Sequence, residues 1–155
     1  MALLMDLRVE SEDWQNISEL ETVCQRALDA GLGTLQTDQD ACVDVLLTDD
    51  DALAALNQQW RHKTGPTDVL SFPAEANPQG FMGDIAIAYG VLARDAEKDG
   101  KTLSAHLSHL LIHGLLHLFG HDHIEDDEAK IMEDFERAAL AQMGITNPYS
   151  RIDQN

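Results

Sequence analysis

The chain has 155 residues, 28 acidic and 10 basic side chains and 44% hydrophobic residues, which gives a formal net charge of −18. That length is typical of one domain with its own core, and the composition is too apolar for a disordered acidic tail. The charge excludes a general nucleic-acid coat and docking on an anionic membrane, both of which need many Lys and Arg, but leaves open an enzyme that meets nucleic acid at one site.

Residues 5–9 read as a first strand. Asp6 breaks the short apolar start, which has no basic leader region, long apolar stretch or cleavage site and is not read as a signal peptide. Ile17, Leu20, Val23, Cys24, Ala27 and Leu28 recur at helical spacing, and Gly31 with Gly33 is expected to close that helix. Residues 42–47 read as a strand rich in β-branched side chains. Thr48 followed by Asp51 resembles a capping box, and Leu53, Leu56 and Trp60 give the apolar face of the next helix. Residues 61–68 are a turn-rich loop, 69–72 a short strand stopped by Pro73, 74–80 a second loop with Asn77-Pro78 as its turn signal, and 83–88 another strand.

The second half is helical: 91–98 before Gly100, 103–119 ending at Gly120, and 124–143 ending at Gly144 with Pro148 beyond. Strands gather early and helices late. This predicts an α/β (α+β) fold: a single domain over residues 1–155, with a mixed sheet of about four strands packed by about five helices. Cys24 and Cys42 form no disulfide framework and fit a reducing, cytoplasmic setting. The longest stretch free of Asp, Glu, Lys and Arg, residues 102–121, carries five His, two Gly and two Ser, a load that no bilayer span accepts cheaply.

That same stretch holds the chemistry. His113 and His117 are i and i+4 on a helix, so both imidazoles lie on one face and can grip one ion. Gly120 can end the helix and turn the chain, bringing His123 back as a third ligand. Three neutral imidazoles leave a tetrahedral metal one open position, which is the catalytic pattern. The spacing H-x-x-x-H-x-x-G-x-x-H is that of the metzincin metalloproteases, which predicts a zincin-like metal site. Those enzymes use a Glu after the first His as general base, and Gly114 stands at that position here. His106 and His109 extend the stripe at offsets of 3 and 4. His109 reads as a group that orients a ligand or faces the substrate, and His106 as a partly buried histidine with a backbone partner. Asp122 has two readings that stay open: it orients a ligand His or accepts a proton, or it hydrogen-bonds to the turn. Residues 125–128 are all acidic and complement a helix dipole; Glu133, Asp134 and Glu136 read as the continuation of an exposed face.

The segment His113-Gly114-Leu115-Leu116-His117-Leu118-Phe119-Gly120-His121-Asp122-His123 resembles the signature of the YbeY family, metal-dependent endoribonucleases of rRNA maturation. Leu56-Asn57 through Trp60-Arg61, Thr67-Asp68-Val69-Leu70-Ser71-Phe72-Pro73 and Met82-Gly83-Asp84-Ile85 resemble it too. Gly114 in place of Glu is the family's own pattern, whereas His121 stands where members often have Tyr. The resemblance implies a single-domain zinc hydrolase with one Zn²⁺ per chain, held by His113, His117 and His123. It implies action on single-stranded RNA in small-subunit rRNA maturation and ribosome quality control, with the ribosome or ribosomal proteins as partners and no membrane. It also marks Arg61 as the catalytic arginine beside the metal cleft. A guanidinium suits that role, because it can donate two hydrogen bonds to phosphoryl oxygens that gain charge.

Two other readings compete: a metallopeptidase-like hydrolase with an unconventional base, and a non-catalytic ribosome-associated metal protein. Zinc is favoured as the metal, although three imidazoles also suit nickel and iron. Between Arg61 and Lys101 lie five of the ten basic residues and six acids, a local net of −1, so the rest of the chain carries −17. RNA binding is then expected to be weak and salt-sensitive.

Overall fold

Along the strand Ala41–Thr48, Ala41, Val43, Val45 and Leu47 are buried, the period of two expected of a strand facing a core. The protein, a computed structural model describing residues 3–145, builds one sheet around this strand. The strands are β1 (Leu3–Val9), β2 (Ala41–Thr48), β3 (Val69–Pro73) and β4 (Phe81–Ala88). The helices are α1 (Leu20–Thr34), α2 (Asp50–Arg61), α3 (Tyr89–Asp99), α4 (Leu103–Leu118) and α5 (Asp126–Gln142). The sheet order is β1-β2-β4-β3; β2 pairs parallel with β1 and β4, and β3 runs antiparallel along β4 at the edge. The mixed four-stranded sheet and the five α-helices are those expected. Pro148, expected beyond the last helix, lies outside the described residues.

Helix α4 is apolar nearly all round, the mark of a helix packed on several sides. It lies against α1, α3, α5, β3 and β4, and Leu107, Leu111, Ile112, Leu115 and Leu116 are fully buried along it. A smaller cluster of Leu53, Leu70, Ala86 and Ala88 sits under α2 on the opposite face of the sheet. Among the described residues no helix is long and apolar enough to cross a membrane. Both cysteines are free.

Two local expectations are corrected. Helix α1 runs through Gly31 and Gly33 to Thr34. Gly31 serves close packing there, since a Cβ on it would meet Leu115 Cδ2 at 3.0 Å. The N-cap of α2 is Asp49, whose Oδ1 accepts from the Ala52 N–H at 2.8 Å; Thr48 is the buried end of β2. A 3-10 turn over Glu12–Asn16 buries Trp14, whose indole N–H donates to the Thr48 carbonyl at 3.0 Å.

Candidate metal centre and cleft

Helix α4 starts at the N-cap Thr102, whose side chain accepts from the Ala105 N–H. Three turns later His113 and His117 project from one face, and their Nε2 atoms are 3.1 Å apart. The helix then closes as its sequence suggests. Gly120 takes φ 93°, its N–H donates to the His117 carbonyl at 3.0 Å, and the His121 N–H donates to the Leu116 carbonyl at 3.0 Å. This paired closure by a left-handed glycine reverses the chain. It brings the His123 ring to 5.4 Å from that of His113 and 5.2 Å from that of His117, measured between centroids.

One ring nitrogen from each of His113, His117 and His123 lies within 4.8 Å of the others, so the group could hold a metal ion. The donor chemistry fits. A tetrahedral ion with metal–nitrogen bonds near 2.0–2.1 Å sets neighbouring nitrogens about 3.3 Å apart, close to the His113–His117 separation. Burial lowers the His117 pKa, and the neighbouring His113 and His123 push it the same way. A neutral imidazole is the form that offers a lone pair.

Glu136, which by sequence continues the exposed face of Glu133 and Asp134, is only 1% exposed. Its Oε1 accepts from His109 Nε2 at 2.9 Å and from His113 Nδ1 at 3.0 Å. Burial alone would push this carboxyl up; the hydrogen bonds and charges of the two histidines outweigh burial and hold it at about 2. The signal for it was in the spacing, because Met132, Glu136, Ala139 and Leu140 form the buried stripe of α5.

His109 therefore faces Glu136 rather than the cleft. His106 is buried as expected, but neither of its ring nitrogens has a hydrogen-bond partner among the described residues, so the expected backbone contact is absent. Asp122 Oδ1 accepts from the His123 backbone N–H at 2.7 Å, which is the turn role. The His121 ring packs on Phe135, with centroids 4.9 Å apart.

Gly114 is buried, and its place explains why no side chain follows His113. A Cβ there would lie 3.0 Å from Ile85 Cγ2 and 3.1 Å from Ser71 Oγ. A side chain at this position would press on Ile85 and Ser71, so the peptidase Glu of the metzincin pattern would have to displace them.

The three histidines line a cleft of about 860 Å³ whose other wall is the edge strand β3. Arg61 and Lys63 also line it. Helix α2 stops at His62, which adopts a left-handed φ of 56°, so that Arg61 closes the helix and Lys63 follows the turn. Asn57 Nδ2 donates to the Gly65 carbonyl at 2.9 Å and ties this loop to α2. The cleft thus sets an imidazole cluster beside two cations, Arg61 and Lys63, and two carboxylates, Asp68 and Asp122.

A family described as Endoribonuclease YbeY has a model that matches residues 7–144. The chain is 43% identical over 149 residues to an endoribonuclease YbeY of Maricaulis maris, spanning 96% of this chain and 93% of that one. It is 41% identical over 160 residues to an endoribonuclease YbeY of Rhizobium meliloti, spanning 96% and 95%. The solution structure of a Thermotoga maritima protein matches with a TM-score of 0.59 at 23% identity, covering 91% of this chain and 92% of the other; this likeness concerns the fold alone.

Proposed function

The chain belongs to the endoribonuclease YbeY family, and from that membership we propose that it is a zinc-dependent endoribonuclease that hydrolyses phosphodiester bonds of single-stranded RNA. We further propose that it acts in the cytoplasm, in small-subunit rRNA maturation and ribosome quality control, with the ribosome as the setting for its substrate. Residues 1–155 act as one metallohydrolase domain. The observation that carries the reading is the juxtaposition, in one cleft, of the three-imidazole cluster with Arg61.

In this reading His113, His117 and His123 hold the ion. Bound zinc supplies Lewis-acid stabilisation of charge on the phosphoryl group. Arg61, which lines the cleft, donates to the non-bridging oxygens and gains strength as they become more negative. Lys63 adds a point charge that draws the RNA backbone in. Strand β3 forms the other wall of the cleft. The peptidase alternative loses its support at Gly114, which stands where that chemistry needs a Glu and is packed tightly against Ile85 and Ser71.

The test is cleavage of a labelled single-stranded RNA by zinc-loaded protein, by chelator-stripped protein and by His117→Ala. Cleavage by the loaded wild type alone is expected. Equal cleavage by all three would assign the activity to a contaminant and overturn the proposal.

A further inference from the structure

We propose that Glu136 is a positioning residue that fixes the orientation and tautomer of His113, and that His109 in turn holds Glu136. The proposal rests on the reading of His113 as a metal ligand.

Glu136 occupies a core position of α5, in line with Met132, Ala139 and Leu140. A carboxylate there is costly unless it is paired. Its partners come from another helix, one turn apart on α4: His109 and His113 approach the same oxygen, Oε1. An ionised carboxylate only accepts, so each contacting ring nitrogen carries the proton. For His113 that nitrogen is Nδ1. Its Nε2 is therefore the unprotonated one, and it faces His117 Nε2 at 3.1 Å, inside the donor cluster. The choice of tautomer is what makes His113 a ligand at all, because the hydrogen bond at one ring nitrogen decides which nitrogen is free.

His109 presents Nε2 to the carboxylate, and its ring stands 84° to that of His113 with centroids 6.4 Å apart. Two donors at 2.9 and 3.0 Å thus share the one oxygen Oε1. The histidine stripe of α4 thus divides by role: His113 and His117 face the cleft, while His109 faces α5.

Two variants separate positioning from packing. Glu136→Leu completes the apolar stripe but leaves the ring N–H groups of His109 and His113 without their acceptor, so it is expected to unfold at a lower urea concentration than the wild type. Glu136→Gln keeps the shape and removes the charge. Both are expected to bind zinc about 10–100-fold more weakly in competition with a chromophoric chelator. In metal-free protein, imidazole ¹⁵N resonances are expected to report Nδ1–H for His113 in the wild type, a mixture of tautomers in Glu136→Leu, and a weaker Nδ1–H preference in Glu136→Gln, which keeps a neutral acceptor oxygen. Zinc affinity within twofold of wild type, together with an unchanged His113 tautomer, would overturn the proposal. His117→Ala is the control for the underlying reading: if it binds zinc as the wild type does, the metal-site reading fails. The tautomer measurement then still decides whether Glu136 orients His113.

Discussion

The Ser71 hydroxyl donates to the Gly114 carbonyl at 3.3 Å, and a Cβ on Gly114 would come within 3.1 Å of the same oxygen. Helix and edge strand meet here with no space between them. Replacing Gly by Ala inside a helix ordinarily gains about 1 kcal/mol in propensity. Overpacking against Ile85 and Ser71 costs about 1–3 kcal/mol and outweighs that gain. Gly114→Ala is expected to lose about 1 kcal/mol in urea unfolding. Gly114→Glu is expected to displace α4 from the sheet and to create no peptidase. A stable Gly114→Glu variant that cleaves peptides would contradict this account.

Arg61 lines the cleft without belonging to the imidazole cluster, so its loss should separate catalysis from metal binding. Arg61→Ala is expected to keep zinc affinity within twofold while RNA cleavage falls by about 10²–10³, the usual cost of one donor to developing charge. Arg61→Lys should recover only part, because an ammonium cannot make the paired contact. A parallel loss of zinc affinity would place Arg61 in the wrong role.

The cations of the cleft are few. Arg61 and Lys63 are the Lys and Arg residues among those lining it, on a chain of net charge −18. Two neutralised phosphates give a slope of log affinity against log salt of about −1.4 for a single strand. Filter binding or anisotropy across a salt series measures it. A slope steeper than about −4 would require a basic surface that this cleft lacks.

Burial lowers the pKa of His106; His109 and Lys101 push the same way, and Asp68 and Asp95 oppose. A histidine whose folded pKa is depressed contributes stability above its unfolded value of 6.5, and that contribution is lost as the pH falls through the folded value. His106→Leu also removes two buried polar atoms without partners. The variant is expected to match or exceed the wild type by about 1 kcal/mol at pH 8 and to widen its lead at pH 5.5. Urea midpoints at the two pH values provide the check. A variant clearly less stable at both would show that the ring has a partner that matters.

The sequence made the donors legible because they are encoded locally. The i, i+4 spacing of His113 and His117 and the glycine that ends their helix are visible in one short segment, and the structure folds it as that spacing demands. Glu136 was hidden by the company it keeps. It stands among Glu133 and Asp134, in a helix whose first turn is also acidic, and its burial depends on how α5 rotates onto α4. Nothing local records that rotation except an apolar stripe in which a carboxylate looks out of place. The course of α1 past two glycines is illegible locally for a related reason. Propensity argues for a stop there, whereas the close approach of Leu115 argues for glycine inside the helix.

The Glu136–His109 contact joins residues 27 apart, whereas the three imidazoles of the cluster lie between His113 and His123. The grip on an ion is therefore portable and its aim is not. Transplanted into another helical protein, the segment from His113 to His123 would carry its donors but leave its carboxylate behind. A graft of that kind would search among ring orientations that the native packing of α5 has already settled.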